Sequence, residues 1–190
     1  MSTPNVFQMT QAQFQSATQC NTLRANTWFD PFNAAMALYA IDTPLRAAHF
    51  LAQVGHESLN LIYSKEIWGP TQAQLRYDPA SGSSLAVALG NTQPGDGARY
   101  QGRGFIQITG RANYGAISKD LGKDFVANPV LLEQGSYPAL SAVWFWHLHG
   151  CNELADADDL LGVTKRINGG TNGLADRQSR TDAAKKVFGI

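Results

Sequence analysis

The chain has 190 residues, 44% of them apolar and 16% charged, which suits one globular domain with its own core and excludes a disordered chain. Fifteen basic residues balance fifteen acidic ones, so no net basic field argues for nucleic acid or an anionic membrane as partner. The polar stretch Met1 to Gln15 has no basic segment followed by an apolar run. The expectation is therefore a protein made in the cytoplasm, without a secretory leader and without stable membrane insertion. Cys20 and Cys151 are expected to be free, buried thiols, because a cytoplasmic start disfavours a disulfide.

Asp30-Pro31 reads as an N-cap followed by proline at the first helical position, opening a helix over Phe32 to Tyr39. Thr43-Pro44 repeats the device and opens a second helix to about Glu57, with Ala47, Phe50, Leu51, Val54 and Ser58 on its inward face. Residues 78 to 104 are rich in turn pairs such as Asp78-Pro79, Ser81-Gly82 and Gly90-Asn91, which predict loop or a short β-hairpin. Phe105 to Thr109 reads as a short buried strand, and Arg111 to Leu121 as a helix. Pro138 to His149 is apolar nearly all round and predicts the central buried helix, with Gly150 as its C-cap. Two further helices are expected over Asp158 to Ile167 and Leu174 to Phe188, separated by Asn168-Gly169-Gly170. The pattern predicts a mostly helical α+β chain forming one domain over residues 1–190, with no linker and no separate binding module.

Glu57, Glu66, Glu133 and Glu153 are the only glutamates. Glu57 lies on the inward stripe of its helix near the C-terminal end, where apolar surroundings and the helix dipole both favour a protonated carboxyl. A protonated carboxyl is what a general acid needs in order to protonate a leaving glycosidic oxygen. Nine residues of continuous helix would place Glu66 about 13 Å away along the axis, so the two pair only if the chain reverses after Ser58. The bland alternative makes Glu57 an ion-paired core residue and Glu66 a surface charge. In Gly102-Arg103-Gly104 the glycines allow close backbone approach, and Gln107 and Thr109 alternate onto one face of the expected strand.

His56-Glu57-Ser58, Glu66, the run Gly102 to Tyr114 and Ile167-Asn168-Gly169-Gly170 together resemble glycoside hydrolase family 19, which comprises plant-type chitinases and many phage or prophage endolysins. The similarity runs from about residue 28 to 185. Glu66-Ile67-Trp68-Gly69-Pro70 and the Asn91 to Gly97 loop are similar to the endolysin branch. The resemblance implies a lysozyme-like, two-lobed domain with a substrate cleft and a short β element. It implies Glu57 as general acid and Glu66 as general base, with Thr109 helping to hold the nucleophilic water. Gln107, Asn113 and Asn168 stand at sugar-contacting positions, and Trp68 and Tyr100 line the cleft. The plant enzymes follow Asn-Gly-Gly with glutamate and cysteine, where this chain has Asn172 and Gly173. Either Arg177 or Arg180 is left as the partner of Glu57.

The implied activity is an inverting hydrolysis of β-1,4 bonds in peptidoglycan, muramidase-like, by a monomeric endolysin that lyses its host. Such a protein waits in the host cytoplasm and needs a holin-like route to the periplasm and wall. The alternatives are a chitinase acting on N-acetylglucosamine polymers and a non-catalytic wall-binding module. A zinc peptidase would want His-Glu-x-x-His, but Asn60 stands where the second histidine belongs. His147 and His149 read as packing residues, Trp144-Phe145-Trp146 as core, and no metal or cofactor is expected.

Overall fold

The computed structural model describes residues 7–190, so the first six residues of the polar stretch read for a leader lie outside the described part. The helices in chain order are α1 (Gln11–Thr18), α2 (Thr22–Leu38), α3 (Pro44–Glu57), α4 (Gln72–Leu75), α5 (Ser84–Ala88) and α6 (Asp96–Arg99). They continue with α7 (Arg111–Leu121), α8 (Tyr137–Leu148), α9 (Cys151–Asp156), α10 (Leu160–Asn168) and α11 (Leu174–Phe188). The chain forms two compact units: Met1–Tyr63 with Ala142–Ile190, and Ser64–Ser141. None of the described helices is long and apolar enough to cross a membrane.

In the first unit, α3 begins as the sequence predicts: Thr43 Oγ1 accepts from the Arg46 amide at 3.2 Å, and Pro44 occupies the first turn. Its Ala47, Phe50, Leu51 and Val54 are fully buried, and it packs against α1, α9 and α11. The helix expected to open at Pro31 starts a full nine residues earlier. Asn21 caps it, accepting from the Arg24 amide at 3.0 Å, and Pro31 sits inside a continuous α2. A proline inside a helix costs about 3 kcal/mol. Burying Phe32 and Met36 contributes roughly 1.5–3 kcal/mol each, so packing outweighs the break. Phe32 lies 5.5 Å from Phe14 and 6.0 Å from Phe50, centre to centre.

From α8, Trp146 reaches Phe50 edge-on at 5.3 Å and donates its indole N–H to Asn152 Oδ1 at 2.8 Å. The burial predicted for this helix holds for Val143, Trp144 and Trp146, but His147 and Leu148 near its end are exposed. His149 stacks on Phe145 at 3.9 Å, a packing contact. Cys20 and Cys151 are both free and buried.

The second unit holds α4 to α7 and the first residues of α8. Its middle contains short helices where a hairpin was one expectation, and Phe105 to Thr109 is not a strand. Arg103 and Ile108 pair with each other through two hydrogen bonds, 3.1 and 2.8 Å, so the chain between them turns back on itself. Gly104 makes the reversal possible: its φ of +85° lies where a side chain is strained, and a Cβ would meet Ser141 Oγ at 2.2 Å. A short apolar run buries itself equally well in a turn, because Phe105, Ile106 and Ile108 all face inward without alternation.

Candidate active site

Glu57 is the last residue of α3, with its side chain 23% exposed. Its Oε1 accepts from Nη2 of Arg177, which α11 supplies and which is only 2% exposed. The same guanidinium donates through Nη1 to Gln53 Oε1, one turn earlier on α3, and through Nε to the Asn172 carbonyl at 3.2 Å. Arg177 is therefore the partner that the sequence left open between two arginines. Arg180 donates instead to Asp176 at 2.6 Å and to Asn60 Oδ1 at 2.7 Å. The apolar surroundings expected for Glu57 give way to a polar set centred on Arg177, because a guanidinium this deeply buried requires acceptors for its N–H groups.

A second polar chain runs beside the first. His56 Nδ1 lies 2.6 Å from Asp176 Oδ2. Burial works against the Asp176 charge, but the hydrogen bonds with His56 and Arg180 outweigh it and hold the carboxyl below its ordinary range. Gly173, at φ +71°, leaves room for the His56 ring, since a Cβ there would stand 2.3 Å from its Cε1. Asn168 donates to the Asn172 carbonyl and accepts from the Gly170 amide, both at 2.8 Å. Asn172 thus ties Asn168 and Arg177 together through its backbone.

Glu66 belongs to the second unit and meets neutral donors only. Its Oε1 accepts from Gln74 Nε2 at 2.9 Å and from the Tyr77 hydroxyl at 3.4 Å, and its Oε2 from the Gly102 amide at 3.0 Å. Its own amide donates back to the Gly102 carbonyl at 2.9 Å. The Thr71–Gln74 capping box of α4 orients Gln74, whose Nε2 also holds the Ile67 carbonyl. A side chain at Gly102 would crowd the Gln107 amide, which lies over it: a Cβ would meet Gln107 Oε1 at 2.0 Å. Nearby charges are already engaged, Arg103 and Lys65 both pairing with Glu133 at 2.5 and 3.3 Å.

Glu66, Gln107 and Trp68 come together around Gly102 and Tyr77, with the Trp68 ring 6.1 Å from that of Tyr77. Thr109 is half-buried, and its carbonyl accepts from Asn113 Nδ2 at 2.8 Å, so Asn113, exposed at the start of α7, folds onto its own backbone. Tyr100 is 1% exposed; its ring packs 5.2 Å from that of Tyr114 and its hydroxyl donates to the Val126 carbonyl. It is a core residue of this unit rather than an open platform for a sugar. Among the described residues no group of three His, Cys, Asp or Glu side chains is placed to hold a metal ion.

The sequence pattern of the family described as chitinase class I, Glyco_hydro_19, matches residues 15–166. The chain belongs to glycoside hydrolase family 19. A family-19 domain-containing protein of Haemophilus influenzae is 39% identical to it over 154 residues, 70% of this chain and 75% of that one. An Arabidopsis thaliana endochitinase is 35% identical over 144 residues, 75% of this chain but only 43% of the plant protein. The crystal structure of chitinase C from Streptomyces griseus HUT6037 superposes with a TM-score of 0.71 at 25% identity, over 95% of this chain and 76% of that one. The family-19 chain is thus a chitinase-like glycoside hydrolase with the mostly helical, lysozyme-like fold expected of it.

Several residues around the family-19 glutamates escaped the sequence reading. Gln53 and Tyr77 are ordinary residue types at positions whose roles arise only from contacts with Arg177 and Glu66. The helical spacing from Gln53 to Glu57 is the one signal that both could serve a single arginine. Nothing local in the sequence marks Tyr77 or Gln74.

Proposed function

We propose that the chain is an endolysin that hydrolyses β-1,4 glycosidic bonds of bacterial peptidoglycan by a single displacement with inversion. Glu66 acts as base, deprotonating the attacking water, and Glu57 as acid, protonating the leaving oxygen. The observation that carries this reading is that each of the two glutamates is held in place by its own donors, Glu57 by Arg177 and Glu66 by Gln74, Tyr77 and the Gly102 amide. Three donors converge on Glu66 and fix the position of its carboxyl. Arg177 stabilises the carboxylate that Glu57 becomes once its proton has left, which lowers the cost of the transfer. Thr109, Gln107, Asn113, Asn168 and Trp68 position water and sugars.

Peptidoglycan is favoured over chitin by the Glu66 to Pro70 and Asn91 to Gly97 segments, which are similar to endolysins. On this reading the monomer waits in the host cytoplasm until a holin-like opening admits it to the wall. The second reading, hydrolysis of chitin, is favoured by the endochitinases among its relatives. The first test is turnover of purified peptidoglycan and of chitin oligomers, with the anomer first released read by NMR. Peptidoglycan turnover with the inverted α-anomer is expected. The β-anomer or an anhydro sugar would remove Glu66 as base, and turnover of chitin alone would replace the substrate. Glu57→Gln should lower the rate by about 10²–10⁴ while wall binding survives.

A further inference from the structure

The second unit holds a cavity of about 580 Å³ that Glu66 does not line. Arg99, Tyr100, Arg111 and Asp124 are on its wall. Both guanidiniums lie over the Tyr100 ring, their central carbons 5.6 and 4.8 Å from its centre. Arg99 spends Nε on the Tyr100 hydroxyl and Nη2 on the Val126 and Ala127 carbonyls. Arg111 spends Nε and Nη2 on Asp96 and Gln93. Nη1 of Arg99 and of Arg111 makes no hydrogen bond of good geometry among the described residues, although Arg111 also interacts with the Tyr100 side chain, which leaves up to four donors at the pair. Asp96, 2% exposed, is occupied by Arg111 and by the Thr92 and Gln93 amides.

Asp124 supplies the opposite charge. Its Oδ1 accepts from the Ala127 amide at 2.8 Å, on the same stretch of backbone whose carbonyls Arg99 holds. Its Oδ2 has no partner among the described residues. The wall thus offers anion-binding donors and, beside them, one free carboxylate oxygen. A simple anion meets repulsion from Asp124, and a neutral sugar forms no ion pair with Arg99 or Asp124, both of which stand exposed. A group bearing a carboxylate and an ammonium on one carbon satisfies both.

The geometry points to a site for the zwitterionic amino-acid end of a peptide, which, on the peptidoglycan reading above, is the diamino-acid terminus of a wall stem peptide. Its carboxylate takes the two Nη1 groups and its ammonium takes Asp124 Oδ2. Chitin carries neither group, so the cavity selects peptide-bearing wall glycan.

The experiment titrates the wild-type protein with a disaccharide tripeptide ending in diaminopimelate, following the Gly95 and Ala127 amides by NMR. Controls are the same ligand with its distal amine acetylated and the disaccharide without peptide. The tripeptide should shift these amides, and acetylation should weaken binding about fivefold, the scale of one exposed ion pair. Asp124→Asn keeps an acceptor for the Ala127 amide, so the loop stays in place. It should weaken the free-amine ligand by the same factor and leave the acetylated one unchanged. Absent shifts, equal affinity for the acetylated ligand, or an unaffected Asp124→Asn protein would each overturn the site. Hydrolysis of glycan stripped of peptide separates the two ideas. Turnover without tripeptide binding removes the site but keeps the enzyme reading, and binding without any turnover does the reverse.

Discussion

Arg177 and Gly102 are the residues on which the two glutamates depend. Replacing Arg177 with alanine leaves Gln53 and Glu57 without their donor, while Glu57, at 23% exposed, regains some water. The loss should be about 1–3 kcal/mol, less than for a fully buried pair, because hydration compensates the carboxylate in part. That corresponds to a fall in melting temperature of roughly 2–10 °C for a chain of this size, measurable by calorimetry. An unchanged melting temperature would mean that the pair is structurally idle. Gly102→Ala tests the other glutamate. The added methyl must displace the Gln107 amide, the end of a flexible side chain, so folding should survive while the Glu66 surroundings shift. Activity is expected to drop by more than tenfold with a melting temperature close to wild type; full activity would show that Gln107 is dispensable.

At the level of elements, α2 and the Arg103–Ile108 turn show tertiary burial overriding local signals. Pro31 lacks the amide that would bond back along α2, yet the helix continues because Phe32, Ala35 and Met36 are held in the core. Pro31→Ala restores that donor but also loosens the unfolded chain. The net effect should be a stabilisation of about 1–2 kcal/mol, seen as a higher urea midpoint with an unchanged slope. A lower midpoint would indicate that the proline ring itself packs usefully. In the turn, the alternating residues Gln107 and Thr109 mimic a strand, but Gly104 breaks the extension, and no partner strand lies alongside among the described residues.

Across the whole molecule, pH acts through buried groups. His49 is fully buried, with Nε2 2.7 Å from Asp158 and Nδ1 unpartnered. An ion pair with Asp158 would raise its pKa, but burial dominates and pushes it below the ordinary value. The folded state therefore binds fewer protons than the unfolded chain. Stability is complete above the unfolded pKa of about 6.5 and declines as pH falls toward the lower folded value, by at most about 1.4 kcal/mol per pH unit. Urea midpoints at pH 7.5 and 5.5 should differ accordingly, and His49→Gln should flatten the slope between them; an equal slope would assign the effect to other groups. Cys151, pushed up to about 12 by burial, should resist alkylation at pH 8 until the protein unfolds.

Local chemistry in the sequence determined what could be read without a fold. The Thr43-Pro44 cap set the start of α3, the periodic apolar stripe set its buried face, and Arg111 to Leu121 and Leu174 to Phe188 formed helices where their patterns end. These signals act over a few residues, so no distant contact is needed to read them. The family was legible for the same reason, from runs of neighbouring residues. Long-range contacts decided the rest. The choice of Arg177 over Arg180 depends on how α11 lies against α3, since both arginines have the same reach and charge. Glu66 found Tyr77, Gln74 and Gly102 through chain reversals that no spacing encodes. Tyr100 went into the core because Tyr114 and two arginines enclose it, and the free energy of that enclosure belongs to the packed unit rather than to any segment of sequence.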